Sequence, residues 1–299
     1  MNISHQYNSR YHFIRSPNTT RRQRDHFIPQ AIMPKVTHGT KKSCTGLTLK
    51  TTQYIPDDSS PPLAVLCFHH GLQEHSGRYA NIFSTMADQG IAVYTYDALG
   101  HGQSEGDRSL VNQYGDLITD LQAIVEDASS SSSSPATTTT TTTPVPFFIA
   151  GHSLGGLIAT LTCLRDQSRW SGLLLSDPAI DVEWTPVLRM QAAVGNLLSA
   201  LVPKARIVPA TQPEKMNKDP EKVKEYVEDP LNDVGSVAAR TANETLKAFR
   251  ELGKRRSELK VPLYAHHGTD DKVTSFTATK YVFFFFFFFL FTHDKLQNR

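Results

Sequence analysis

Cysteine is scarce in this chain: 299 residues carry three, Cys44, Cys67 and Cys163. That excludes a disulfide framework; Cys67 falls in an expected strand and Cys163 on an expected helix, which reads as buried thiols in a reducing compartment. No apolar run approaches the ~20 residues that a membrane-crossing helix needs. Neither sign of charge dominates, with Lys+Arg 31 against Asp+Glu 29 and a net charge of +2, so there is no basic footprint for nucleic acid. Residues 1–32 hold a single acid, Asp25, and no apolar core segment, so a secretory signal is not expected. Their Arg-rich composition leaves a disordered extension or an organelle transit peptide, and Met33 is an alternative start. The expected location is the cytoplasm, with membrane association or organelle targeting as variants.

What is present is a series of apolar runs ending in glycine-rich turns. Residues 46–55 alternate like an edge strand. Leu63 to Phe68, Ile91 to Tyr96, residues 146–150 and Gly172 to Ser176 are continuous apolar runs, as strands buried on both faces of a parallel sheet are. Val261 to His266 reads as a later strand. Between them lie helical patterns up to Gln89, from Leu110 to Ala128, after residue 153, and from Asn243 to Leu252. The Ser/Thr tract over 129–143 cannot bury surface and reads as a solvated loop. About fifty residues follow Asp177-Pro178, too many for a simple connection. They contain Thr185-Pro186, a capped helix start, then Val187, Met190, Val194, Leu197, Leu198 and Leu201 at helical spacing. This insertion reads either as a lid whose apolar face covers an acyl chain and touches a membrane, or as a helix packed wholly on the core.

The centre of the pattern is Gly151-His152-Ser153-Leu154-Gly155, a Gly-x-Ser-x-Gly turn between a strand and a helix. Such a turn strains the serine backbone and requires glycine where a Cβ would strike the crossing chain. It also leaves the Ser153 hydroxyl at a helix N-terminus, whose free N–H groups suit an oxyanion. The loop His69-His70-Gly71-Leu72-Gln73-Glu74-His75 follows the first buried strand and would supply a second N–H, from Leu72; the plainer reading is a tight strand-to-helix turn. In a Ser…Asp…His order, an acid is expected just past the late strand, at Asp270 or Asp271. Asp177 is the alternative acid. The polar residues of the loop Asp97 to Gly106 are expected to tie loops together rather than do chemistry. The early histidines show no metal-ligand spacing, so no metal or other cofactor is expected.

With His70-Gly71 through Glu74-His75-Ser76-Gly77-Arg78-Tyr79, Asp97 through Gly106, Gly151 through Gly156, and His267-Gly268-Thr269-Asp270-Asp271, the chain resembles the monoglyceride lipase and lysophospholipase group of α/β-hydrolases over about residues 46–281. The resemblance implies a mostly parallel central sheet, helices on both faces and a helical cap. The implied domains are an extension at 1–45, a first core part at 46–181, a cap at 182–231 and a second core part at 232–299. It implies Ser153 as nucleophile, backbone N–H of Leu72 and Leu154 as oxyanion donors and Asp271 as acid. The implied substrate is a lipid ester of the monoacylglycerol or lysophospholipid type. An acyltransferase, or a ligand-binding protein without catalysis, are the alternatives. Gln73 departs from the group, which has a small residue at that position.

The catalytic imidazole should lie one helix and one strand past Asp271, usually about thirty residues on. The only later histidine is His293, set in a polar turn, and it fits the base poorly. Phe283 to Phe289 are seven consecutive phenylalanines, which no helix or strand can sort onto one face. They read as a translated non-coding tract that displaced the true end, or else as an apolar tail docking on the lid or a membrane. The C-terminal strand and helix are therefore expected to be missing, and the chain to be a weak catalyst.

Overall fold

The computed structural model describes residues 34–57, 61–132, 144–181, 186–209, 212–271 and 273–283. In chain order these form β1 (Lys35–Lys42), β2 (Thr48–Ile55), β3 (Ala64–His69), α1 (Ala80–Asp88), β4 (Ile91–Tyr96), α2 (Tyr114–Ser132), β5 (Phe147–His152), α3 (Leu154–Cys163) and β6 (Gly172–Ser176). Then come α4 (Pro186–Leu201), β7 (Arg206–Val208), α5 (Pro220–Glu228), β8 (Val237–Ala238), α6 (Ala239–Arg255), β9 (Leu263–His266) and α7 (Phe276–Phe283).

Seven strands make one sheet in the order β1-β2-β4-β3-β5-β6-β9, and β7 pairs with β8 apart from it. The pairs β1–β2 and β2–β4 are antiparallel, and the rest of the large sheet is parallel. This is the α/β-hydrolase architecture. β3 is fully buried because both its faces are covered, and its side chains divide with period two. Val65 and Cys67 join the cluster formed with α2, α3 and α6, while Leu66 and Phe68 join Tyr54, Phe83 and Ala87 on the α1 side. The chain order reverses at β3, which has β4 on one side and β5 on the other, so the loops leaving β3 and β5 lie side by side at the switch point. Register aligns the strand ends: His69 is opposite Gly151, His152 opposite Ser176, and Ser176 opposite His266. The four loops that follow these strands thus meet on one rim.

Three differences from the sequence reading have physical causes. The extension expected over 1–45 is shorter, because β1 pairs along its whole length with β2 and Lys41 meets Asp127 at 2.7 Å. Its alternation lacks an apolar face, so periodicity could not reveal it. α2 starts later than expected, since the Val111 N–H is taken by the Thr241 hydroxyl, and it runs on into the serine tract. There Ser129, Ser130 and Ser131 return their hydroxyls to the carbonyls of Val125, Glu126 and Asp127, which lets polar residues extend a helix already anchored by Arg169 on Glu126. Residues 133–143 of that tract, Thr185, and all but the first phenylalanine of the run lie outside the described residues.

The third concerns α4, which is neither a bare lid nor a fully packed helix. It lies against α6 through buried Ala192 and Ser199, yet Leu197 is 60% and Leu201 70% exposed. Val194, Val202 and Ile207 are exposed as well. Among the described residues no helix is long and apolar enough to cross a membrane.

Candidate active site

Ser153 stands between the last residue of β5 and the first of α3, at φ 51° and ψ −121°. The conformation is held by its own main chain: its N–H donates to the Ser176 carbonyl at 3.1 Å, and its carbonyl accepts from Gly156 at 3.0 Å and Ala179 at 3.0 Å. Two glycines make the turn sterically possible. A Cβ on Gly155 would lie 2.1 Å from the His69 carbonyl oxygen, and one on Gly151 would lie 2.2 Å from that of Gly155. α3 itself is buried at every position, which explains its unbroken apolar sequence and anchors the turn. Among the described residues the Ser153 hydroxyl makes no hydrogen bond.

The loop after β3 passes directly against this serine. A Cβ on Gly71 would come 3.2 Å from Ser153 Cβ and 3.3 Å from His152 Cδ2. The Gly71 N–H donates to Glu74 Oε1 at 2.6 Å, and Glu74 also accepts from the Tyr79 hydroxyl at 2.5 Å and pairs with Arg78 at 3.1 Å. The next N–H, that of Leu72, has no acceptor among the described residues. Leu154 opens α3, so its N–H lies ahead of the helical ladder. The arrangement can therefore offer two amide donors from loops packed on one another beside one hydroxyl.

The neighbouring histidines serve the scaffold. His70 Nδ1–H donates to the Gly71 carbonyl at 2.7 Å while Nε2 accepts from the Ala98 N–H at 2.9 Å, which fixes a neutral tautomer. Burial pushes His70 well below the usual imidazole range, His69 down to about 4, and lowers His101. Asp97 gathers the adjoining loops, accepting from the N–H and hydroxyl of Ser76 and from the Gln103 N–H.

Past β9, Asp271 accepts from the Val273 N–H at 2.7 Å, the Thr274 N–H at 3.0 Å, the Thr274 hydroxyl and His267 Nε2 at 3.2 Å. Burial alone would raise its pKa; the His267 and Thr274 hydrogen bonds and the two main-chain donors outweigh it and bring it down to about 2. Asp177, at φ 42°, accepts from the Gly268 N–H at 2.9 Å and the Ser176 hydroxyl at 3.0 Å. The two acids proposed from sequence are thus neighbours: a ligand atom each from Asp177, His267 and Asp271 lies within 4.8 Å of the others. These atoms are already engaged, Asp177 by Gly268 and Ser176 and Asp271 by His267, and His267, 2% exposed, spends its other nitrogen on Thr279 at 2.9 Å. Asp270 turns outward to Lys218 instead. The sequence motif contains His267 but assigns it no role; its spacing to Asp271 is only a hint, and its bonds to Thr274 and Thr279 have no local signature.

Residues 226–235 are fastened to the loop after β3. His75 Nε2 meets Asp229 at 2.8 Å, the Arg78 guanidinium lies 4.8 Å over the Tyr226 ring, and the Gln73 amide donates to the Gly235 carbonyl at 2.6 Å. Gln73, the departure from the resembled group, turns its side chain to this segment. His293 lies outside the described residues.

Comparison with known proteins agrees with this geometry. The family model for serine aminopeptidase, S33 (Hydrolase_4) matches residues 60–284. A monoglyceride lipase homolog of Monkeypox virus is 27% identical, covering 74% of this chain and 75% of its own. A monoacylglycerol lipase of Mycolicibacterium smegmatis is 28% identical, covering 76% of each. The crystal structure of Paleococcus ferrophilus monoacylglycerol lipase superposes with a TM-score of 0.68 at 23% identity, over 82% of this chain and 88% of that one. The chain belongs to the serine aminopeptidase S33 family and, with the monoglyceride lipases, to the α/β-hydrolases.

Proposed function

We propose that the chain is a serine ester hydrolase fold directed at a single-chain lipid ester, a monoacylglycerol or lysophospholipid, with Ser153 as nucleophile. The observation that carries this reading is Ser153 at φ 51°, strained at a helix start with the Gly71-Leu72 loop against it. In the reaction Ser153 Oγ bonds to the acyl carbon as the carbonyl π pair moves onto oxygen, and the N–H groups of Leu72 and Leu154 take up that charge. The Ser153 proton passes to solvent. Collapse breaks the ester C–O bond and expels the glycerol-type alkoxide, which takes a proton from solvent. Water then adds to the acyl carbon, releasing the acid and returning a proton to Ser153 Oγ. Asp271, held ionised, is the group that would orient an imidazole. The exposed apolar residues of α4 (Val194, Leu197 and Leu201) support a face for acyl chains or a membrane surface.

The base is what this chain supplies least well. No imidazole among the described residues bonds to Ser153, and both nitrogens of His267 are engaged. We therefore propose slow turnover, sustained by the oxyanion donors and substrate binding, which without a triad give about 10³–10⁴-fold over water. The test is hydrolysis of a medium-chain monoacylglycerol by the purified full chain. The expected result is weak activity, lost in Ser153→Ala and unchanged in His293→Ala. A fast rate that His293→Ala abolishes would remove the impairment and leave the esterase; activity indifferent to Ser153→Ala would remove the esterase. The unbonded serine hydroxyl also favours a second reading, a ligand-binding protein without catalysis, for which a lipid ester recovered intact after long incubation is the sign.

A further inference from the structure

Gln73 follows Leu72 and adopts φ 63°, a backbone region that favours glycine and costs a residue with a Cβ. It is nevertheless 6% exposed and tightly held. Its amide donates to the Gly235 carbonyl at 2.6 Å, and its own carbonyl accepts from the Asp233 N–H at 3.0 Å and the Tyr226 hydroxyl at 3.3 Å. All three partners fall in the segment from α5 to the start of β8. On the other side of Leu72, the Gly71 N–H is held by Glu74 within the core. The Leu72 peptide is thus clamped from the core through Glu74 and from the cap side through Gln73.

We infer that Gln73 is a positioning residue whose strained backbone, fixed by residues 226–235, aims the Leu72 N–H at Ser153. Docking of that segment and assembly of the oxyanion site are then one event. A glycine at this position would take the same conformation without help; glutamine needs the contacts with residues 226–235. The inference rests on the oxyanion role proposed for Leu72.

Two readouts test it. The first is hydrogen–deuterium exchange of peptides spanning 70–76 and 226–235 in the full chain and in Gln73→Leu, Gln73→Gly and the milder Tyr226→Phe. The second is binding of an alkyl boronic acid. There Ser153 Oγ bonds to the trigonal boron and releases its proton to solvent, while the boron keeps both hydroxyls and one of them stands where the oxyanion would. An alkyl glycerol ether, which forms no adduct, is the control. Gln73→Leu keeps the Cβ strain without the tether, so exchange in 70–76 rises about tenfold and boronic acid affinity falls about tenfold, with ether binding unchanged. Gln73→Gly removes strain and tether together, so 226–235 loosens while 70–76 and boronic acid affinity return toward the parent chain. Tyr226→Phe gives the Leu pattern in smaller measure. Equal behaviour of the Leu and Gly variants, or a 70–76 loop unmoved in all three, overturns the inference. If the parent chain itself takes no boronic acid, the proposed serine site fails, and the exchange pattern still decides the role of Gln73.

Discussion

A serine held at φ 51° costs on the order of 1–3 kcal/mol, and its surroundings must supply that. They do so through the Ser176, Gly156 and Ala179 main-chain bonds and through glycines that let α3 approach β3. Gly155 is the tightest of these points. Gly155→Ala would set a methyl against the His69 carbonyl, and because both partners are main chain neither can rotate away. The expected loss is about 3 kcal/mol or more, seen as a lower urea midpoint or as failure to fold. Asp271 gives a prediction of opposite character. Its folded pKa of about 2 is below the ordinary carboxylate value, so it stabilises the fold above about pH 4 and loses that contribution as pH falls toward 2. With partial solvent access the contribution is on the order of 1–2 kcal/mol. Melting temperature followed from pH 5 to pH 2 should fall less steeply in Asp271→Asn than in the parent chain. Both residues were legible in the sequence, because a strained turn and an acid after a strand leave local signatures. His267 was not, since its partnership with Asp271 and Thr279 depends on how α7 returns to the loop.

Among the elements, α6 shows how a helix fixes what its own pattern does not announce. Thr241, fully buried, donates to the Ser109 carbonyl and accepts the Val111 N–H, so it closes the loop ahead of α2. Thr241→Val keeps the shape and leaves two main-chain groups unpaired, for an expected cost of about 1–3 kcal/mol by denaturant unfolding. The same contact explains why α2 begins four residues later than its apolar spacing predicts. At its other end α2 exceeds the expectation, because serines that look like loop in composition return their hydroxyls to the helix. Composition reports average preference; hydrogen bonds to Arg169 and the preceding turn decided the case.

For the molecule as a whole, the sheet is closed on one side by a strand the sequence concealed. β1 is polar and exposed, so nothing in its pattern distinguishes it from the residues before it, yet it pairs with β2 over eight residues. Deleting 1–42 strips the edge of β2 and the Lys41–Asp127 pair, and should lower the melting temperature by about 5 °C or more. The sequence by itself determined the buried strands, the elbow at Ser153 and the order serine then acid, because continuous apolar runs and obligatory glycines are local requirements. Only the tertiary structure decided that Asp177, His267 and Asp271 converge, that α4 leaves an apolar face open, and that Gln73 is held by residues 226–235. Those depend on strand register and on contacts between distant residues, such as Gln73 with Gly235, whose separation of 162 no local pattern can encode.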